Sequence, residues 1–174
     1  AATSTAIQNW ASNSAADTGN SEDALVTADE YLGIFYPPGQ TNDLSGNTIV
    51  VPASHMILRT IARSDDQSFP WFAPAGTRRG LVDNANAIGF INSATGEFQV
   101  DNVRESLRDT LYSNRVNPIT FFNGVGLMNH GQKTRAATTS ALDRINVARL
   151  ANYLRSQLQA TALGFVFEPN DKIT

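Results

Sequence analysis

Short apolar runs alternate with two amphipathic stretches along the second half of the chain. The runs at 86–91, 97–100 and 119–122 are brief and bounded by turn-forming residues, which is typical of β-strands. Apolar residues recur with helical spacing over 101–115, where Asp101 is expected to cap a helix that Asn117 and Pro118 close, and again over 145–159. Because strands and helices alternate here, the pattern predicts an α/β domain in which helices flank a mixed β-sheet.

The first half gives weaker patterns. Strands are predicted at 31–36 and 48–51, with a loop rich in Pro, Gly and Asn between them. A helix capped by Ser54 is then expected to end near Arg63, with Ile57, Leu58 and Ile61 toward the core. The next stretch, 64–80, contains two prolines and several turn residues, so it is predicted to be a long loop.

The most regular amphipathic stretch lies near the C-terminus. Asn146 is expected to cap this helix, and Gly164 to end it before a buried strand at 165–168. One apolar stripe follows the helical period: Val147, Leu150, Ala151, Leu154 and Leu158.

Composition narrows the class of protein. The chain has 174 residues, 41% hydrophobic residues, a net charge of −3 and no cysteine. These values favour a globular domain over 31–174, preceded by a polar, partly linker-like segment at 1–30. They exclude disulfides and thiolate metal sites and disfavour nucleic acid as a partner. No apolar run approaches the ~18 residues of a membrane-spanning helix, so a membrane partner is not expected.

The stretch at 126–134, GLMNHGQKT, comes closest to a catalytic motif. Gly126 and Gly131 have the spacing of a phosphate-binding loop, but Gln132 separates them from Lys133 and Thr134. The loop should also open a helix at once, and the next helical pattern begins only near residue 145. An α/β nucleotide-binding or hydrolase domain that uses this loop is therefore the alternative hypothesis.

Other catalytic arrangements are weaker still. Ser54 and His55 are neighbours that do not face each other on a helix, and Glu168 and Asp171 flank a Pro-Asn turn. We therefore predict no catalytic residue, no metal site and no cofactor. A third hypothesis is an interaction module built on the aromatic residues of the loop at 69–72.

Three stretches resemble the contractile tail sheath protein family of bacteriophages and related injection machines. The first matches the family's strand pattern at Gly126, Gly131, Lys133 and Thr134, with His130 where a Trp is common. The second is the helix INVARL at 145–150, which includes Asn146 and Leu150. The third is the turn formed by Glu168, Pro169, Asn170 and Asp171.

The resemblance implies a structural subunit and not an enzyme. It implies a virion protein of the phage tail, assembled in the host cytoplasm, with other sheath subunits, the tail tube protein and the baseplate as partners. Its subunits would form a helical tube that contracts and drives the inner tube through the host envelope. It also implies a core domain that is incomplete at both ends and truncated at its C-terminus.

The last helix offers candidates for contacts between subunits. Arg144, Arg149 and Arg155 are placed to form inter-subunit ion pairs. The alternative is an ordinary solvated helix face.

Overall fold

A computed structural model of the chain describes residues 6–7, 29–136 and 139–167. In chain order its strands and helices are β1 (Ile34–Tyr36), β2 (Gly39–Asn42), β3 (Thr48–Val51), α1 (Ala53–Gln67), α2 (Gly76–Arg79), β4 (Ala87–Ile91), β5 (Phe98–Val100), α3 (Glu105–Ser113), β6 (Val116–Phe122), β7 (Gly126–Asn129) and α4 (Ile145–Ala162). Single 3₁₀ turns lie at Ala141–Asp143 and Leu163–Phe165.

The strands form two sheets. One has the antiparallel order β3-β2-β4-β5. The other has the order β1-β6-β7, in which β6 runs parallel to β1 and antiparallel to β7. Helices flank this mixed arrangement, so the predicted α/β class is confirmed.

Helix α1 supplies the centre of the larger core. Met56 and Ile57 are fully buried and pack against both sheets through Ile88 of β4 and Ile119 of β6. The sequence pattern also placed Leu58 toward this core, but that side chain is 68% exposed. A second cluster lies under α3: Tyr36, Val103, Leu111 and Val116.

Strand β2 lies where the sequence predicted a loop, so that prediction is wrong at Gly39–Asn42. Asp43 closes the β2–β3 hairpin, because its Oδ1 accepts the backbone N–H groups of Ser45 and Asn47 at 2.8 Å each. At Gly39, a Cβ would lie 2.4 Å from Met56 Sδ. The core therefore selects a glycine in a strand whose composition is typical of a turn.

Helices α1, α3 and α4 each begin at a residue other than the one that the capping pattern predicted. Helix α1 starts at Ala53 with Pro52 before it, and Ser54 is an exposed residue of the first turn. Helix α3 starts at Glu105, because Asp101 instead donates its backbone N–H to Ile88 O and continues the sheet.

A hydrogen bond to a distant part of the chain sets the start of α4. The backbone N–H of Ile145 donates to the carbonyl of Gln132 at 2.8 Å, which satisfies a helix-start donor without a side-chain cap. Arg144 therefore occupies the cap position, and the prediction that Asn146 caps this helix is wrong.

The predicted long loop at 64–80 is helical near both of its ends, and residues 68–75 between them form the loop. Helix α1 continues to Gln67, and the four-residue α2 follows at Gly76–Arg79. Asn117 and Pro118, which were expected to end the preceding helix, lie inside β6.

The C-terminal part of α4 is open to solvent in the described chain. Of its predicted apolar stripe, Leu154 and Leu158 are exposed, and the buried positions are Ile145 and Ala148. The buried strand predicted from 165 is wrong, because Phe165 ends a 3₁₀ turn and is exposed. None of the helices described combines the length and apolar character that a bilayer crossing requires.

Candidate assembly site around the Gly126–Thr134 strand

The stretch that resembles a phosphate loop is a strand followed by an extended exit segment. Strand β7 pairs with β6, and on its other side the backbone N–H of Val82 donates to Leu127 O at 2.9 Å. The N–H of Asn129 donates in turn to Gly80 O at 2.7 Å. Gly126 enters the strand at φ 100°, a left-handed conformation that favours glycine. The backbone of β7 is therefore bonded on both edges, unlike that of a loop that wraps an anion.

Buried side-chain amides fix the exit segment. Asn129 is fully buried, donates from Nδ2 to Pro74 O at 2.7 Å, and accepts the N–H of Gly131 at 3.2 Å. A Cβ at Gly131 would lie 2.7 Å from Asn117 Oδ1 and 2.8 Å from Asn117 Cα. Gly131 is required here by close approach to β6.

Asn117 joins three parts of the chain. Its Nδ2 donates to Ile34 O at 2.9 Å and to Lys133 O at 2.8 Å, and its Oδ1 accepts the N–H of Lys133 at 2.6 Å. The residue is fully buried. This single amide therefore connects β1, β6 and the segment that leaves β7.

The two side chains that a phosphate loop would use are bonded inside the chain. Lys133 Nζ donates to Tyr112 O at 2.9 Å and lies 4.1 Å from the centre of the Tyr112 ring. Thr134 is buried, and its hydroxyl donates to Leu142 O at 2.8 Å. This geometry counts against the nucleotide-binding alternative.

Lys133 belongs to a cationic cluster that surrounds the C-terminal end of α3. Arg144 Nη1 donates to the Tyr112 hydroxyl at 2.7 Å, and Arg135 Nη1 donates to Asn114 O at 3.4 Å. Arg115 follows α3 with a left-handed φ of 62°. We call Arg115, Lys133, Arg135 and Arg144 the cationic cluster.

The positive charges of the cationic cluster repel one another. Burial lowers the pKa of the Lys133 ammonium, and the charges of Arg144 and Arg115 lower it further. Burial also lowers the pKa of Arg135, and Arg115 adds to that effect. Sequence reasoning missed Arg115 and Arg135, whose proximity to Lys133 depends on the path of the chain around Tyr112.

The arginines predicted to contact other subunits have partners within the chain. Arg149 forms an ion pair with Asp65, which ties α4 to α1, and these side chains are 21% and 33% exposed. Arg155 Nη2 lies 3.4 Å from the Tyr31 hydroxyl at an exposed position. Arg144 contacts Asp143, with 3.2 Å between Nε and Oδ1. Their role between subunits stays a prediction.

The remaining motif residues are distributed around this region. Asn146 and Leu150 are half-buried in the first turns of α4. Glu168, Pro169, Asn170 and Asp171 lie outside the described residues.

The aromatic loop at 69–72 packs back onto α4. The rings of Phe69 and Trp71 stack with centroids 4.8 Å apart, and Trp71 lies 5.3 Å from Tyr153. Arg79 stands 4.4 Å above the ring of Phe72. In the part of the chain that is described, no group of three or more His, Asp or Glu residues could hold a metal ion.

Comparison with known proteins identifies the family. No protein-family model matches the chain. The tail sheath protein of Vibrio phage KVP40 is 37% identical over 124 residues, which is 71% of this chain. The tail sheath protein of Enterobacteria phage T4 is 33% identical over 124 residues, which is also 71% of this chain. The chain belongs to the tail sheath protein family. It spans about 17% of the length of these curated relatives, so it corresponds to a limited segment of each sheath protein.

Solved structures show the same sheath fold. The anti-feeding prophage helical sheath in its contracted state matches 97% of this chain and 46% of its own, with a TM-score of 0.68 and 17% identity. The sheath complex of the PVC extracellular contractile injection system, also contracted, matches 84% of this chain and 36% of its own, with a TM-score of 0.61 and 23% identity. These likenesses confirm the fold expected from the sheath resemblance.

Proposed function

We propose that this segment is part of a structural subunit that polymerises into a helical sheath around a phage tail tube. On a trigger from the baseplate, the sheath contracts and drives the tube through the host envelope. The observation that carries the proposal is the 37% identity to the KVP40 tail sheath protein over 71% of the chain. Partners are other sheath subunits, the tail tube protein and the baseplate, and residues 31–174 form the core domain of the subunit.

The internal bonding of the segment suits a polymer with two states. In such a polymer, subunits move largely as rigid bodies while their mutual contacts change. The Asn117 hydrogen bonds and the Arg149–Asp65 ion pair tie distant parts of the segment together. Head-to-tail contacts that do not close a ring generate the open helical tube.

The proposal places the energy of contraction in a metastable extended assembly, without nucleotide hydrolysis. The engagement of Lys133 by Tyr112 O and of Thr134 by Leu142 O supports this statement, because both side chains already donate to backbone carbonyls within the chain. We therefore expect calorimetry with Mg-ATP or Mg-GTP to show no binding. Binding that Lys133→Ala abolishes would favour the enzyme alternative.

Electron microscopy of phage tails tests the polymer directly. Gold-labelled antibodies raised against the chain should decorate the whole length of the tail in both extended and contracted particles. Antibody that has been pre-absorbed with the purified chain is the control. Label confined to one end of the tail, or absent from it, would contradict a sheath role.

A further inference from the structure

We propose that the cationic cluster is a docking site for carboxylates of a second copy of this chain. This inference rests on the proposed function, because a helical homopolymer brings copies of the chain into repeated contact. It adds the chemistry of one contact surface, in which Arg144 is joined by three cations that lie outside α4.

The cationic cluster is not neutralised from within. It carries four positive charges, and Asp143 alone among the described carboxylates lies within ion-pair distance of it. The end of helix α3 offsets some of this charge, because Lys133 and Arg135 donate to the carbonyls of Tyr112 and Asn114. A helix C-terminus provides only about half of one negative charge. Most of the positive charge therefore remains available to a partner.

The position of the cluster allows contact with a partner. The Arg144 side chain is 42% exposed, and the other three residues are half-buried. Hydrogen bonds to Tyr112 and Asn114 hold three of the side chains, and the backbone N–H of Arg115 donates to Tyr112 O at 3.1 Å. Side chains that are already ordered lose less entropy when a partner binds.

Carboxylates fit this surface better than a phosphate group does. A phosphate cradle needs free backbone N–H groups, whereas the N–H of Lys133 donates to Asn117 and that of Thr134 to Asp143 O. What remains is a set of guanidinium and ammonium groups, and guanidinium forks pair well with carboxylates.

The charge of the chain indicates a second copy as the source of the carboxylates. The four cations and Asp143 together carry +3, so the rest of a chain whose net charge is −3 carries −6. Among the described residues outside the cluster, the exposed carboxylates of Asp66 and Glu97 form no ion pair, so a copy of the chain offers carboxylates to a cationic patch on its neighbour. This complementarity favours attraction between unlike surfaces of two copies.

Zero-length cross-linking gives a clean test because the chain has only two lysines, Lys133 and Lys172. A water-soluble carbodiimide converts a carboxylate to an O-acylisourea. The Lys133 amine then attacks the acyl carbon, forms an amide and expels the urea. The experiment uses an equal mixture of ¹⁴N- and ¹⁵N-labelled Lys172→Arg chains, so that mass spectrometry distinguishes linkages between copies from those within one.

We expect mixed-isotope peptides that join Lys133 to an Asp or Glu. Their yield should be highest at about 0.01 M ionic strength, where the Debye length is about 30 Å, and lost near 1 M, where it is about 3 Å. In the double variant Arg115→Asn, Arg135→Gln, the yield should fall by about fivefold, the effect of one partly exposed ion pair. Asn tolerates the left-handed backbone of residue 115, and the Lys133 and Arg144 hydrogen bonds are retained.

The matched control is Arg78→Asn with Arg104→Gln. It removes the same charge from exposed positions outside the cluster and should leave the yield unchanged. If circular dichroism shows that the cluster variant does not fold, the salt dependence of the Lys133 cross-linking yield in the original chain still tests the proposal.

Two results would overturn the proposal. One is the absence of mixed-isotope linkages at Lys133, or a yield that neither salt nor the cluster variant reduces. The other is calorimetric binding of inorganic phosphate that the cluster variant removes, which would assign the site to phosphate. If phage tails carry the antibody label but the chain gives no such linkage, only the docking site proposed here is refuted. If the tails are unlabelled, the proposed sheath role itself is refuted.

Discussion

Replacing Asn117 by Ala should be among the most damaging single changes in this chain. The substitution removes three hydrogen bonds, to Ile34 O, Lys133 O and Lys133 N, from a residue that is fully buried. Each buried hydrogen bond contributes about 1 kcal/mol, and groups left without a partner cost more. The free energy of unfolding should therefore fall by about 3–4 kcal/mol, which corresponds to a loss of roughly 10 °C in Tm for a chain of this size.

Chemical denaturation followed by circular dichroism measures this loss. Asn114→Ala is the matched control, because its amide makes one exposed hydrogen bond, to Thr110 O at 3.0 Å. The control should cost about 0.5–1 kcal/mol. If Asn117→Ala costs no more than Asn114→Ala, the conclusion that one buried amide connects β1, β6 and the exit of β7 is wrong.

Three further predictions concern stability. A double-mutant cycle with Arg149→Met and Asp65→Asn should give a coupling free energy of about 1–2 kcal/mol, because the ion pair is largely buried. A coupling free energy near zero would refute the link between α1 and α4. Gly131→Ala should cost about 1–3 kcal/mol, since its Cβ would meet Asn117 at 2.7 Å, and equal denaturation midpoints would contradict that requirement. Burial raises the pKa of Tyr36 to about 12. The folded state therefore keeps the phenol proton to a higher pH than the unfolded state does, and about 2–3 kcal/mol of folding stability should be lost as pH rises from 10 to 12. In Tyr36→Phe that part of the loss should disappear, and identical pH profiles would refute the assignment.

Local periodicity predicted the parts of the fold that depend on neighbouring residues. The strands at Thr48–Val51, Ala87–Ile91 and Phe98–Val100 follow from short apolar runs between turns. The amphipathic patterns likewise predicted helices α3 and α4. The motif residues at 126–134 led to the sheath family, which the curated relatives confirm.

What the sequence missed depends on contacts between distant residues. Strand β2 has the composition of a turn and forms because β3 and β4 bond to it on both sides. The start of α4 is set by Gln132 O, and Asn117 bonds to Ile34, 83 residues earlier in the chain. The helical period also predicted the apolar stripe of α4. It could not show that Leu158, which belongs to this stripe, is exposed in the described chain.

Reconstruction of the phage tail by electron cryo-microscopy, in both extended and contracted states, would show whether this segment belongs to the sheath subunit. We expect density for this segment in every sheath subunit. Residues 31–136 and 139–167 should superpose between the two states to within about 1 Å, as rigid bodies do, while their positions relative to neighbouring subunits change. A segment located outside the sheath would rule out the sheath role, and Asn117 and Arg149 contacts that break on contraction would rule out rigid-body motion.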